Sequence, residues 1–382
     1  MKLLNTECLM FESFEVPSEL IPSDPRFGVG PSLVPPEHLL RLANTGDQLM
    51  GTSHRQAAVR NLVKEIQKDI SKYFSLPAGY EVVLGNGGAT FLFDMIGLGL
   101  VEKSSLHFVC GEFSNKWYSA HHKIPWIKAE KREVPVGSGI NPVVEAEFDM
   151  ICCTLNETST GVMLTQLPSV DEDTLLAVDA TSGAGQIKID FNKIDLYIFS
   201  PQKVLASEGG LYLAIMSPKA LKRAEKLYKR DSYIPDVMSW KSAIENSRKN
   251  QTYNTPAIST LFLLREQLRL MCELGEDKVC AMAQEKLALL TDWVNGKDYL
   301  NFYVEDECYR SLTVATINIA EQFNAEKLAK RLRELGVAYD IDAYRKLGKN
   351  QFRISLFHNI TINDLEKLTK IISLAIESHG GK

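Results

Sequence analysis

The chain has 382 residues, 45% of them hydrophobic and 24% charged, with a formal net charge of -5 at pH 7. That is apolar material for a large core in two domains, and mild acidity without a long basic run speaks against a nucleic-acid surface. No window approaches the roughly 18 apolar residues of a membrane span, and the glutamate-bearing first 20 residues lack the apolar core of a signal peptide, so a cytoplasmic protein is expected.

The first 25 residues show no period and read as irregular. Val59, Leu62, Val63, Ile66, Ile70 and Phe74 keep helical spacing and predict the core face of a helix. Residues 80–84 read as a strand running into Gly85-Asn-Gly-Gly-Ala-Thr90 and then a helix from Phe91. Residues 150–155 form another strand, followed by the polar run Asn156-Glu-Thr-Ser-Thr-Gly161. Two further apolar runs, 175–178 and 194–200, precede a tight return at Gly209-Gly210 and a strand over 211–216. Strands alternating with helices predict an α/β fold with a mostly parallel sheet. Beyond it the pattern turns helical over 255–293. A strand over 312–319, a helix over 325–335 stopped by Gly336, strands near Val337 and Phe352, and a last helix from about Asn363 predict a smaller α+β end. The expected division is an irregular segment 1–25, a large domain 26–275 and a small domain 276–382.

Lys203 follows one apolar run and Asp179 another. If those strands are neighbours, an amine and a carboxylate meet at one sheet edge, where α/β proteins bind cofactors. The pair suits pyridoxal 5'-phosphate, which needs a lysine for covalent attachment and an anion opposite its pyridine nitrogen. Singly, such a lysine is a solvated loop charge and such an aspartate a helix cap. The glycines of 85–88 before a helix read as a phosphate seat, where main-chain amides and the helix dipole face an anion, or as a plain tight turn. Their spacing fits neither the dinucleotide fingerprint nor the Walker loop.

The seven cysteines include no Cys-x-x-Cys pair and read as reduced thiols. Adjacent Cys152 and Cys153 lie on a predicted strand, where a mutual disulfide would strain the backbone. His121 and His122, with Cys110 upstream, suggest a metal, but adjacent helical residues point about 100° apart and make poor joint ligands. No metal is expected.

Phe27-Gly-Val-Gly-Pro-Ser32, Ser53-His-Arg55, Gly85-Asn-Gly-Gly-Ala-Thr90, Gly111-Glu-Phe-Ser114, Asn156-Glu-Thr158, Asp179-Ala-Thr-Ser182, Gln202-Lys203, Asn250-Gln-Thr-Tyr-Asn-Thr-Pro256 and Tyr344-Arg-Lys-Leu-Gly-Lys-Asn-Gln-Phe-Arg353 occur in this order. Together they resemble the phosphoserine aminotransferases, in the branch best represented in actinobacteria. These are class V transaminases of the pyridoxal-phosphate-dependent fold type I, and the likeness runs from about Asp24 to about Phe357. It implies a mostly parallel seven-stranded sheet in the large domain. It also implies transfer of the amino group of L-glutamate to 3-phosphohydroxypyruvate, giving O-phospho-L-serine and 2-oxoglutarate.

The resemblance further implies roles. Lys203 would carry the cofactor and move a proton, and Asp179 would pair with the ring nitrogen. Phe113 would stack on the ring, Thr158 would donate to its phenolic oxygen, and Ser182 would help hold the phosphate or its neighbours. Gly88, Ala89, Thr90 and Gln202 would receive the phosphate. Asn254 and Thr255 would come from the partner of a homodimer with shared sites. Arg353 would grip the substrate α-carboxylate, and His54, Arg55 and Arg345, with Lys346 beside them, the distal anion. Two departures stand out: Ala89 and Thr90 follow Gly88 where the better-known branch has an arginine, and Tyr344 replaces a histidine. Another class V transaminase, of alanine-glyoxylate or serine-pyruvate type, would not need the distal cations. A non-catalytic cofactor-binding protein is the rival from another class. A cysteine desulfurase would need a loop cysteine, for which Cys308 is the only candidate.

Overall fold

The structure is a computed structural model that describes residues 11–230 and 233–380. The expected irregularity of residues 1–10, and the thiol of Cys8, lie outside the described residues. Residues 11–25 hold only a single 3-10 turn at Ser18–Leu20.

Helices α1 (Pro36–Thr45) and α2 (Ala57–Tyr73) lead into strand β1 (Glu81–Gly87). Helix α3 (Ala89–Gly99), strand β2 (Ser104–Val109), helix α4 (Glu112–His122) and strand β3 (Lys128–Glu133) follow. Strand β4 (Met150–Thr154) precedes a two-residue hairpin of β5 (Asn156–Glu157) and β6 (Val162–Met163). Then come β7 (Leu175–Asp179), β8 (Leu196–Phe199) and β9 (Gly210–Met216). Four helices follow: α5 (Pro218–Tyr228), α6 (Trp240–Arg248), α7 (Ile258–Leu274) and α8 (Glu276–Asn295). The chain ends in β10 (Leu300–Phe302), β11 (Val314–Ile319), α9 (Ala325–Glu334), β12 (Gln351–Ser355) and α10 (Ile362–Glu377).

Seven strands form one sheet in the order β1-β9-β8-β7-β4-β2-β3, with β9 alone antiparallel to its neighbours. Strands β2, β4, β7 and β8 are buried along their whole length, as parallel strands covered on both faces must be. Alternate residues feed two cores. Ile151, Cys153, Leu176, Val178 and Tyr197 meet the apolar stripe of α2 and α7. Met150, Cys152, Leu175, Ala177 and Leu196 meet α3, α4, α5 and α6. Cys152 and Cys153 therefore face opposite sides of the sheet, and each described cysteine is a free thiol. Edge strand β3, Lys-Ala-Glu-Lys-Arg-Glu, is covered in charge, which discourages further strand pairing.

Antiparallel β10-β11-β12 form a second sheet, whose core with α8, α9 and α10 also takes in Phe11, Phe14 and Phe27 from the chain's beginning. Ser23 N donates to Asp364 Oδ1 at 2.6 Å, tying that beginning to α10. None of the helices in the described residues is long and apolar enough to cross a membrane.

Two local expectations about strands change. The glycine run was expected to leave the strand at Gly85, yet Gly85, Asn86 and Gly87 continue β1, paired with Tyr212, Leu211 and Gly210. A side chain at Gly85 would meet the Tyr212 hydroxyl at 2.4 Å, so glycine here permits a close approach within the sheet. Helix α3 accordingly begins at Ala89, with extended Gly88 at its N-terminus. Near Val337 there is no strand: Tyr339 and Asp342 make single bridges to Arg26 and Phe352 only. Of the paired histidines, His121 is buried. Its Nδ1 lies 3.1 Å from His107 Nε2 and 3.0 Å from Ser105 Oγ. The ligating atoms of His107, His121 and Cys152 lie within 4.8 Å of one another. Burial pushes the His121 imidazole down to about 3, so it is neutral at physiological pH.

Candidate active site

Asp179 ends β7 and pairs in register with Ile198 of adjacent β8, so the loop that follows β8 carries Lys203 to the same sheet edge. Asp179 is buried, and its Oδ1 accepts from Thr181 N at 3.0 Å and Thr181 Oγ1 at 2.5 Å. Burial outweighs those bonds and raises its carboxyl to about 6, with Glu157 adding and Lys203 opposing. Lys203 is half-buried with its amine enclosed, and burial pulls that amine down to about 8, helped by the Arg353 charge.

The amine donates to the main-chain oxygen of Val29 at 3.0 Å. The next residue, Gly30, has φ +146°, and a Cβ there would fall 1.7 Å from Lys203 Nζ. Only glycine lets the strap pass. Ser32 N then donates to the Gln202 carbonyl at 2.8 Å. The Gly-Val-Gly-Pro motif thus seats the lysine, a role its sequence did not reveal.

Ala89 N, at the start of α3, donates to Ser200 Oγ at 2.8 Å, so the glycine-rich segment expected to seat a phosphate and the lysine loop meet. Thr90 Oγ1 lies 3.4 Å from Lys116 Nζ on α4. Thr158 Oγ1 donates to Ser182 Oγ at 2.6 Å, and Asn156 Nδ2 reaches the same oxygen at 2.8 Å. Phe113, in the first turn of α4, lies 5.9 Å between ring centroids from Tyr344.

That turn is anchored by Glu157, a fully buried carboxylate whose signal in the sequence was only an acid at a strand end. Its Oε1 accepts from Phe113 N at 3.2 Å and Ser159 Oγ at 2.6 Å, and its Oε2 from Ser114 N and Ser114 Oγ, both at 2.9 Å. A carboxylate at a helix N-terminus is favoured by its dipole.

Arg353 projects from β12 into this group. Its Nη1 reaches the Thr158 carbonyl at 3.4 Å and its Nε the Asp342 carbonyl at 3.3 Å, and its guanidinium lies 5.2 Å from the Tyr344 ring. Among the described residues it makes no ion pair. The other anion-binding candidates are not gathered here. Arg345 and Lys346 are exposed on a 3-10 turn, Lys346 paired with Glu112. His54 Nδ1 lies 3.1 Å from Thr255 Oγ1, and Thr255 O accepts from Asn86 Nδ2 at 2.8 Å. Asn254, Thr255 and Arg55 are exposed. No hydrogen bond or ion pair among the described residues joins His54, Arg55, Asn254 or Thr255 to Lys203, Asp179 or Arg353.

The residues suit pyridoxal phosphate. An enclosed amine faces a buried carboxylate, a helix N-terminus adjoins them, and Thr154 Oγ1, Asn156 Oδ1 and Gln202 Oε1 are buried without partners, as atoms awaiting a polar ligand are. The chain belongs to the class-V aminotransferase family, whose profile matches residues 29–368, and it is a pyridoxal-phosphate-dependent transaminase. Its relatives narrow this further. It is 44% identical over 366 residues to the phosphoserine aminotransferase of Corynebacterium glutamicum, covering 95% of this chain and 97% of that one. It is 42% identical to that of a Nocardioides species, covering 96% and 100%. The crystal structure of the phosphoserine aminotransferase of Cytophaga hutchinsonii superposes with a TM-score of 0.84 at 28% identity, covering 92% and 98%.

Proposed function

We propose that the chain is a phosphoserine aminotransferase, moving the amino group of L-glutamate to 3-phosphohydroxypyruvate to give O-phospho-L-serine and 2-oxoglutarate. The observation that carries the transaminase reading is Arg353, largely enclosed beside Lys203 and without an ion pair among the described residues; the choice of phosphoserine is supported by the 44% identity to a phosphoserine aminotransferase. A buried guanidinium without a counter-ion is costly, and a substrate α-carboxylate supplies the missing anion with fork geometry.

When bound, the cofactor supplies an electron sink for the charge left at the substrate Cα. With the cofactor bound, Lys203 would take the substrate Cα proton on Nζ and hold it for return; an amine lowered to about 8 keeps a usable neutral fraction near physiological pH. Asp179 holds the proton of the ring nitrogen. Thr158 orients the phenolic oxygen, Phe113 sets the ring plane, and Ser182 positions Thr158. Gly88, Ala89, Thr90 and Gln202 take the phosphate.

The distal anion falls to Arg345, Lys346, His54 and Arg55. The last two, with Asn254 and Thr255, are supplied by a second copy, so the active species is a homodimer of cytoplasmic chains. Exposed Leu39, Leu40 and Tyr253 give the contact its apolar area. We read residues 26–275 as the cofactor-binding unit and 276–382 as the smaller unit that brings Arg353. Mixing Lys203→Ala subunits with subunits carrying Asn254→Ala and Thr255→Ala should restore activity through one intact site per heterodimer. An active monomer would overturn the shared site. For the substrate, amino donors are compared by kcat/KM with 2-oxoglutarate as acceptor. Phosphoserine should exceed serine and alanine by at least about tenfold; equal values would favour an alanine-glyoxylate or serine-pyruvate transaminase.

A further inference from the structure

Helix α8 and the turn leading into α10 line an open-sided cavity of about 240 Å³, whose polar lining is Glu285, Lys286, His358, Asn359 and Thr361 beside Met282, Ile360 and Ile362. None of these residues belongs to the site described above. Lys286 is 2% exposed and His358 3%. The Lys286 ammonium donates to the Phe357 carbonyl at 2.7 Å and makes no ion pair among the described residues. Its chain neighbour Glu285 is exposed, lines the same cavity, and its charge partly opposes the lowering of the Lys286 amine.

His358 is held on two sides. Its main-chain N donates to Gln186 Oε1 at 2.9 Å, and Gln186 is itself fixed by bonds to the Leu312 and Leu356 carbonyls. On the ring, Nε2 lies 2.7 Å from Gln267 Nε2. The amide donates there, so the imidazole proton sits on Nδ1. That Nδ1 is buried with no partner. Burial, and then the Lys286 charge, pushes the imidazole down to about 3, and burial brings the Lys286 amine to about 8. A neutral N–H donor without a partner and an ammonium with protons beyond the one given to Phe357 therefore share one cavity, at which the Glu285 carboxylate also lies. Unsatisfied buried donors of this kind are rare in native proteins.

We propose that this cavity is a binding site for a small oxyanion, a carboxylate or a phosphate, held by Lys286 Nζ and His358 Nδ1. Asn359 refines the chemistry. Its Nδ2 donates to Ser32 Oγ at 3.2 Å and to the Leu33 carbonyl, which leaves Oδ1 buried and unpartnered. An acceptor beside two donors suits an anion that also carries a hydroxyl or ammonium group, such as monohydrogen phosphate or a small hydroxy or amino acid.

The test is equilibrium dialysis of the holoenzyme with labelled orthophosphate and, separately, labelled lactate, in wild type, Lys286→Met, Lys286→Arg and His358→Phe. In at least one arm the wild type should bind one more anion per chain than Lys286→Met or His358→Phe, with Lys286→Arg close to wild type and kcat unchanged in Lys286→Met. Should a variant fail to fold, protection of Lys286 in the wild type decides. Acylation of Lys286 at pH 8, mapped by peptide mass, should slow at least about fivefold when the binding anion is present. Equal stoichiometry in all folded variants, or an acylation rate indifferent to both anions, overturns the site and leaves Lys286 a strut for the Phe357 carbonyl.

Discussion

Lys203 donates from its side-chain amine to the carbonyl of Val29 across 174 positions of sequence, at 3.0 Å. The amine is thus placed by the chain's beginning as well as by the strand before it, and the strap passes because residue 30 has no side chain.

Gly30→Ala should displace the amine and strain a backbone held at φ +146°. We expect a loss of about 1–3 kcal/mol of stability, weaker cofactor retention and a fall in kcat of at least about tenfold. Thermal unfolding and cofactor absorbance would check it; a variant with wild-type loading and kcat would remove the strap's role.

Lys203 also predicts a pH dependence of the cofactor-free protein. Its folded value of about 8 lies below the roughly 10.4 of an exposed lysine, so between these values the unfolded chain binds more protons. Stability attributable to this group therefore rises with pH over that window. Below about pH 8 the burial cost is present in full, on the order of 3 kcal/mol. Lys203→Met should be more stable than wild type in urea at pH 7, with the gap narrowing by pH 10. A constant gap would mean that the amine is not depressed.

Glu157→Gln would turn an amide N–H2 toward donors that now share a carboxylate. A loss of about 2–4 kcal/mol is expected, with the first turn of α4 loosened and the Phe113 ring less fixed. Urea denaturation gives the energy. Hydrogen exchange at the Phe113 and Ser114 amides gives the location, and unchanged protection there would sink the anchoring role.

Arg353→Ala and Arg345→Ala should separate by substrate. The first should lower kcat/KM for every amino donor through the shared α-carboxylate. The second should penalise phosphoserine and glutamate while sparing alanine. Removing a charge-assisted contact costs about 1.5–3 kcal/mol, or roughly one to two orders of magnitude. Equal losses for phosphoserine and alanine in Arg345→Ala would show that Arg345 does not read the distal anion.

Much of the fold was legible because its signals are local. The α2 stripe and the apolar runs of β4, β7 and β8 are periodicities within about 20 residues, and the structure realises each, whereas the tight return expected at Gly209-Gly210 is instead a loop over residues 200–209 with Gly210 already in β9. The positions of Asp179 and Lys203 follow from the same runs, since a residue just past a parallel strand lies at its carboxyl edge. The strand expected near Val337 failed because pairing needs a partner of matching length, and Tyr339 and Asp342 find only isolated ones. Gly85 to Gly87 stayed in β1 for the opposite reason: β9 extends far enough to pair with them.

By itself the sequence determined the strand and helix order, the lysine and carboxylate at one sheet edge, and the motif order shared with a transaminase family. Tertiary structure alone decided that Phe11 and Phe27 pack with the C-terminal sheet, that the Val29 carbonyl accepts a hydrogen bond from Lys203, that Glu157 anchors the turn bearing Phe113, and that Arg353 reaches Thr158. Those contacts join residues from 43 to more than 300 positions apart. No local period encodes them; they arise only when burial of the shared core brings distant segments together, and burial is also what moves the Asp179 and Lys203 protons into a working range.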